Sequence, residues 1–320
     1  MLITLTPKGL YCEKGDFYID PSVAVKRAVI THCHTDHIRA GSSTYLTSKN
    51  SAALARVRVG EKPHIEAIDF GKKMQVGEVV VSLHPAGHIL GSAQIRVEHK
   101  GEVWCVSGDY KTEPDATCEA YEPVECHTFI TESTFAHPRY SWKPQKQIFA
   151  HINDWWQLNQ LWGKVSLLNA YSLGKAQRLL AGVDGTIAPI LVHHTIERFN
   201  PAYKKANITF PNYDILSKEK LGELREQNPL IIAPPMLKGQ DWLEELGEHS
   251  TAFASGWMNG KSSNRRGVYD AGFPLSDHAD WNGLLGAIDA TGADTVIAMH
   301  GFVDNLVNHM RTTGRTSTGW

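Results

Sequence analysis

Short apolar runs alternate with polar ones through the first part of the chain. Runs at 2–5, 17–19, 28–30, 45–47, 79–83, 94–97 and 103–106, separated by turn signals such as Pro7-Lys8-Gly9 and Lys100-Gly101, predict short β-strands. A helix is predicted over 51–59, and a strand at 129–132 ends on the acid Glu132. From Pro144 the period changes. Ile148, Ile152, Trp155 and Trp156 recur at helical spacing, which predicts an amphipathic helix with its tryptophans against a core. Strands at 165–168, 189–192 and 230–233 then alternate with helices at 174–181 and from Thr195 onward, the pattern of parallel βαβ units. After Trp281 a helix leads to a buried strand at 295–299 that ends in His300-Gly301, and the small polar residues 312–320 read as a frayed end. These elements predict an α/β protein of layered sheets with helices outside. The change of character places boundaries at 1–138, 139–270 and 271–320, the last segment returning to the first domain.

Bulk properties narrow this picture. At 320 residues, 42% hydrophobic and 21% charged, the chain reads as a soluble globular protein with ample core. No apolar run approaches the roughly 20 residues that span a bilayer, and Met1-Leu2-Ile3-Thr4-Leu5-Thr6-Pro7 lacks the basic leader of a secretion signal. Cys12, Cys33, Cys105, Cys118 and Cys126 are odd in number and form no CxxC pair, which points to a reducing, cytoplasmic setting. A net charge of -2 excludes a protein that coats nucleic acid by bulk charge. It leaves a nuclease open, because bound cations and a local basic groove supply positive potential.

The chemistry concentrates at strand ends. The strand at 28–30 runs into Thr31-His32-Cys33-His34-Thr35-Asp36-His37, which offers imidazole and carboxylate groups of the kind that hold a zinc-type ion. His32 and His34 sit two apart, so an extended segment projects both rings to one side, while Asp36 and His37 follow in a turn and aim at a neighbouring point. That suggests two ions side by side. Three further motifs match: His88 within Pro85-Ala86-Gly87-His88-Ile89-Leu90-Gly91-Ser92, Asp109 after Ser107-Gly108, and His300 before Gly301. A histidine-rich polar loop is the competing explanation for any one of them, and the set of strand-end ligands disfavours it.

Together these motifs resemble the metallo-β-lactamase fold. THCHTDH resembles its HxHxDH signature, and PAGHILGS and SGD resemble its later ligand motifs. Glu132 in ITESTF, His278 in SDHAD and His300 in AMHG resemble the additional motifs of the β-CASP branch, which contains Artemis-type DNA-repair nucleases and RNA nucleases of the cleavage-factor and RNase J types. The segments YSLGKAQ from Tyr171, SGWM from Ser255 and SDHADW from Ser276 are similar to bacterial DNA-ligase-associated exonucleases. The resemblance implies an αββα sandwich with an inserted β-CASP α/β domain. It implies that His32, His34, His88 and Asp109 hold one divalent ion, and that Asp36, His37, Asp109 and His300 hold a second, with Asp109 bridging. Zinc is the expected metal, with manganese and iron as alternatives.

By the same resemblance the chain is expected to be a DNA exonuclease of repair. It would act on DNA with a free end, with a DNA ligase or helicase of the same pathway as partner and no membrane association. His278 would protonate the leaving oxygen and Glu132 would orient it, although a helix-capping role for His278 beside Asp277 and Asp280 is the structural alternative. The turn Ser172-Leu173-Gly174-Lys175 leads into a helix and is a candidate receptor for a terminal phosphate, with a plain strand-to-helix turn as the alternative. Lys261, Arg265 and Arg266 form the best basic cluster for a strand backbone, or else a solvated loop. An RNA-processing nuclease is the nearest competing function. A small-molecule metallohydrolase and a noncatalytic scaffold are weaker ones.

Overall fold

The computed structural model describes residues 1–235, 240–259 and 268–320. It divides into two compact units, one made of Met1–Ser141 with His278–Trp320 and the other of Trp142–Asp277.

The first unit holds two sheets, one of six strands and one of seven. In the first sheet β1 (Thr4–Thr6), β2 (Gly9–Cys12), β3 (Phe17–Ile19), β4 (Arg27–Val29), β5 (Thr44–Ser48) and β6 (His64–Ile68) lie in chain order, with the helix α1 (Lys49–Val59) between the last two. The second sheet contains β7 (Met74–Val76), β8 (Val79–Pro85), β9 (Ala93–His99), β10 (Glu102–Val106) and β11 (Thr128–Ser133). Two strands from the far end of the chain complete it. These are β18 (Thr295–Gly301), parallel to β11, and β19 (Thr316–Gly319), parallel to β18 at the edge.

Alternation along these strands explains the layering. Trp104, Val106, Ile130 and Ile297 face the first sheet and pack with Leu10, Phe17, Val29, Val81 and Ile95. Their neighbours Val103, Cys105, Phe129, Val296 and Ala298 face the opposite way. There they bury the apolar faces of α7 (Trp281–Ala290) and α8 (Val303–Thr312), through Leu284, Ile288, Leu306 and Met310. The unit is therefore sheet against sheet, with helices on the outer faces.

The second unit is built on one parallel sheet. Its strands are β12 (Val165–Asn169), β13 (Ile190–Val192), β14 (Asp214–Ile215), β15 (Leu230–Ala233), β16 (His249–Ala254) and β17 (Ala271–Phe273), arranged in the order β14-β13-β15-β12-β16-β17. Its helices are α2 (Gln145–Leu161), α3 (Lys175–Gly182), α4 (His194–Glu197), α5 (Asn200–Lys205) and α6 (Lys218–Leu224). Strands covered on both faces read as continuous apolar runs, as Leu230-Ile231-Ile232-Ala233 does. Leu168, Ile190 and Ile232 pack with Ile148, Ile152 and Trp156 of α2, while Leu167, Leu191 and Ile231 face Leu221 and Trp242.

Two expectations change here. The last residues are not frayed, because Thr316–Gly319 donates and accepts along β18 and Trp320 packs against the core between the sheets. Their polar side chains concealed a strand held by its backbone. The unit boundaries also fall at Ser141 and Asp277 rather than at 138 and 270, because β17 pairs with β16 and so belongs to the second unit. No described helix is long and apolar enough to cross a membrane.

Candidate metal centre

Four strand ends of the first unit bring the ligand-type residues together. β4 ends at Val29, and Ile30 still donates to Leu46 O at 2.9 Å, so the chain stays extended into His32 and His34. Cys33 points the other way and is fully buried, its thiol 3.6 Å from Ser51 O. The chain then turns, with the amides of His37 and Ile38 both donating to His34 O at 3.1 Å. His88 sits in the loop between β8 and β9, where Ser92 Oγ accepts its amide at 3.0 Å. Asp109 follows β10 after Gly108, whose φ is +57° and where a Cβ would lie 2.6 Å from Thr31 Cβ. Only glycine allows that approach.

The resulting geometry is close. His34 Nδ1 lies 3.1 Å from both His32 Nε2 and His88 Nε2. Asp109 Oδ2 lies 3.6 Å from His32 Nε2, 3.7 Å from His88 Nε2 and 3.6 Å from His37 Nε2. A tetrahedral zinc with Zn–N bonds near 2.0–2.1 Å separates its ligand atoms by about 3.3 Å. The set His32, His34, His88 and Asp109 fits that spacing and that donor chemistry. The second expected set is looser. Asp36 Oδ2 is 3.8 Å from His37 Nε2 and its side chain is 76% exposed, while the His300 ring centre stands 6.5 Å from that of His37.

A residue not singled out in the sequence completes the centre. Asp20, just after β3 and in the left-handed region at φ 45°, accepts from His37 Nδ1 at 2.7 Å and from the Thr31 amide at 2.8 Å. It also accepts the Thr31 hydroxyl, and Thr31 Oγ1 lies 3.1 Å from His32 Nδ1. With its hydrogen given to Asp20, the hydroxyl accepts from His32 Nδ1–H. One carboxylate therefore holds the Nδ1–H tautomer of both His32 and His37 and turns both Nε2 lone pairs inward. The signal available in the sequence was an acid at the end of the strand that pairs with β4.

The charges of the cluster act on one another. Burial pulls the His37 imidazole down, but Asp109, Asp20 and Asp36 override it and push the ring up to about 10. Burial, followed by the neighbouring His37, His88, His34 and His278, holds His32 well below its ordinary range, so it is neutral. Burial opposes ionisation of Asp109, yet the surrounding imidazoles His37, His278, His88 and His34 keep its carboxyl below the usual range. A divalent ion would take the place of the His37 proton as the positive charge beside Asp109, leaving the His37 Nε2 lone pair free to hold it.

Beside this cluster, Glu132 is buried and places Oε1 and Oε2 at 3.0 and 2.9 Å from His278 Nδ1. The Tyr110 amide donates to the same Oε1 at 2.7 Å, which ties Glu132 to the Asp109 loop. The His278 and His88 ring centres are 4.7 Å apart, and Asp280, not His278, caps α7 by accepting from the Gly283 amide at 2.8 Å.

In the second unit the phosphate expectation fails for Lys175. Its side chain is 4% exposed, and its ammonium lies 2.7 Å from Asp277 Oδ1 and donates to Leu275 O at 2.6 Å. Arg178 joins the same carboxylate at 3.1 Å. A buried acid distant in sequence captures the lysine, and the Gly174 amide is already capped by Gln177 Oε1 at 2.7 Å. Ser172 is half-buried, with its hydroxyl 3.2 Å from that of Thr195. Lys261, Arg265 and Arg266 lie outside the described residues.

No family model matches the chain. A probable DNA ligase of Opitutus terrae is 32% identical over 309 residues, covering 96% of this chain and 30% of that protein. The endoribonuclease ysh-1 of Neurospora crassa is 28% identical over 47% of this chain and 18% of its own length. The cleavage and polyadenylation specificity factor 73 of Drosophila melanogaster is 27% identical over 57% of this chain and 27% of its own. The chain belongs to the β-CASP branch of the metallo-β-lactamase family. It spans less than a third of the length of these β-CASP relatives. A crystal structure of a protein of unknown function from Enterococcus faecalis shares the fold, with a TM-score of 0.61 at 12% identity over 91% of this chain and 78% of that one. Members of the β-CASP branch work with divalent ions, and the His/Asp cluster of this chain has the composition to hold them.

Proposed function

We propose that this chain is a metal-dependent nuclease that hydrolyses DNA phosphodiester bonds from an end, a DNA exonuclease of repair, with Trp142–Asp277 as its β-CASP domain. The observation that supports this reading is Asp109 Oδ2, which lies 3.6 Å from His32 Nε2, 3.7 Å from His88 Nε2 and 3.6 Å from His37 Nε2. A carboxylate oxygen within reach of ligands expected for both ions is what a shared ligand would need. His32, His34, His88 and Asp109 would hold the first ion, and Asp36, His37, Asp109 and His300 the second. Bound there, two divalent ions, zinc in the first instance, would supply Lewis acidity to activate water and neutralise charge on the phosphoryl oxygens. The protein's own part is positional. Asp20 orients His37 and, through Thr31, His32. Glu132 holds His278 by Nδ1, favours its protonated form and leaves its other ring nitrogen as the atom that delivers a proton to the leaving oxygen.

DNA is preferred over RNA because the relative named a DNA ligase matches 96% of the chain, whereas the endoribonucleases match about half of it or less. The same relative supports a ligase as the partner in the pathway. RNA processing is the second reading, favoured by the names of those endoribonucleases. End-labelled DNA and RNA oligonucleotides, with and without a 5′ phosphate, are to be incubated with the metal-replete protein and with Asp109→Ala. Expected are shortening of DNA by the parent, none by the variant, and loss of both ions from the variant by metal analysis. Cleavage of neither polymer refutes the nuclease, and cleavage of RNA alone refutes the DNA assignment in favour of the second reading.

A further inference from the structure

Two motifs of the second unit remain without a role, Tyr171-Ser172-Leu173-Gly174 after β12 and Ser255-Gly256-Trp257-Met258 after β16. The topology brings them side by side. β12 and β16 are parallel neighbours with Asn169 opposite Phe253, so both motifs emerge at the carboxyl edge of the sheet. The strand order also departs to both sides of β12, with β15 and β13 on one side and β16 and β17 on the other. In a doubly wound sheet, ligands bind beyond the carboxyl ends at such a point.

Large aromatic rings stand at this edge. Tyr171 is 48% exposed although it follows the fully buried β12, and Trp257 is 41% exposed although β16 before it ends in three buried residues. Neither ring rests on a loose loop. Tyr171 meets the buried Phe253 edge-on at 6.1 Å, and Phe253 in turn stacks on Tyr269 at 5.3 Å. Trp257 belongs to a short 3-10 turn (Gly256–Met258) whose start is capped by Ser255 Oγ, 3.3 Å from the Trp257 amide. Polar groups follow Tyr171. The Ser172 and Thr195 hydroxyls lie 3.2 Å apart, and His193 Nδ1 sits 2.8 Å from Thr195 Oγ1. Exposed, braced aromatics beside hydroxyl and imidazole groups match the needs of an unpaired nucleic-acid strand, with π-faces for bases and hydrogen-bonding groups for the backbone. With a net charge of -2, the chain cannot rely on bulk attraction for that binding.

We propose that Tyr171 and Trp257 form a stacking platform for the bases of single-stranded nucleic acid. This rests on the nuclease reading and adds a substrate subsite to it. The platform tolerates any sequence, because every base has a π-face. The test is the affinity of the metal-replete protein for a fluorescent ten-nucleotide single strand with phosphorothioate linkages, which resist cleavage. Tyr171→Ala and Trp257→Ala are expected to raise Kd about five- to a hundred-fold each, and Tyr171→Phe and Trp257→Phe to stay within a few-fold of the parent. The parent should lose comparable affinity for an abasic strand, and the alanine variants should show no further loss on it. The proposal is overturned if the alanine variants bind the normal strand as the parent does, if phenylalanine fails to restore binding, or if the alanine effect persists in full on the abasic strand. A parent that binds strands in this way but cleaves none would refute the nuclease and leave the platform standing. Cleavage with unchanged binding by the variants would do the reverse.

Discussion

Asp20→Asn is the substitution that most directly probes how the centre is held. The carboxylate accepts three hydrogens, from the Thr31 amide on Oδ1 and from the Thr31 hydroxyl and His37 Nδ1 on Oδ2. An asparagine keeps the first through its carbonyl oxygen and presents an NH2 group to the other two. A donor then confronts two donors in a buried site, and both partners must reverse. His37 changes tautomer and points Nε2–H at the centre. The Thr31 hydroxyl turns to donate to His32 Nδ1, and His32 follows to the same wrong tautomer. Losing an outer carboxylate of this kind weakens metal binding about 10- to 100-fold, equivalent to about 1.4–2.7 kcal/mol. Here the loss should appear at both ions. Thr31→Val separates the two paths, because it removes the hydroxyl between Asp20 and His32 and leaves His37 Nδ1 on Asp20. It should weaken the His32 ion and spare the other. Competition of the stripped proteins against a chromophoric chelator measures both affinities. Unchanged affinities in Asp20→Asn, or an equal loss of both ions in Thr31→Val, would refute the tautomer argument.

In the metal-free protein the protonation of the cluster responds to pH. The folded His37 is pushed up to about 10, against about 6.5 unfolded. Its contribution is therefore complete below pH 6.5 and disappears as pH rises towards 10. Urea unfolding of chelator-treated protein should show stability falling by a few kcal/mol, to order of magnitude, between pH 6.5 and 9.5. A flat profile contradicts the assignment. Lys175→Ala should destabilise the protein by about 3 kcal/mol, since it strips a buried cation from Asp277, and should leave any preference between phosphorylated and unphosphorylated ends unaltered. Denaturation and end-labelled cleavage assays read the two effects separately.

The parts of this molecule legible in its sequence are those where side chains state their surroundings. Val103-Trp104-Cys105-Val106 reads as a strand because all four side chains are buried, on alternating faces. The strands β6 and β19 escaped because their side chains are mostly exposed and the pairing resides in backbone groups that any sequence supplies. The candidate cluster of His32, His34, His88 and Asp109 shows in the sequence because these residues crowd at strand ends. Asp20 was not, since an isolated acid after a strand gains meaning only when β3 is known to lie beside β4. Lys175 was misread for a related reason. Local spacing describes a turn into a helix, but the partner that captures the ammonium, Asp277, is a hundred positions away in order of magnitude and invisible to a local pattern.

The pairing of β11 with β18 sets an order of events in folding. Ser133 Oγ donates to Met299 O, 166 positions along the chain, and parallel pairing over such a distance closes late because loop entropy opposes it. During synthesis, Asp20, the His32–His37 run, His88, Asp109 and Glu132 all leave the ribosome before the whole of Trp142–Asp277, and His278 and His300 only after it. A nascent chain therefore owns most of the candidate ligands while lacking both the histidine that Glu132 holds and the strand that pairs along one side of β11. Until that strand docks, Asp20, the His32–His37 run, His88 and Asp109 lack His278 and His300, and the whole candidate centre assembles only after the chain has been made past His300.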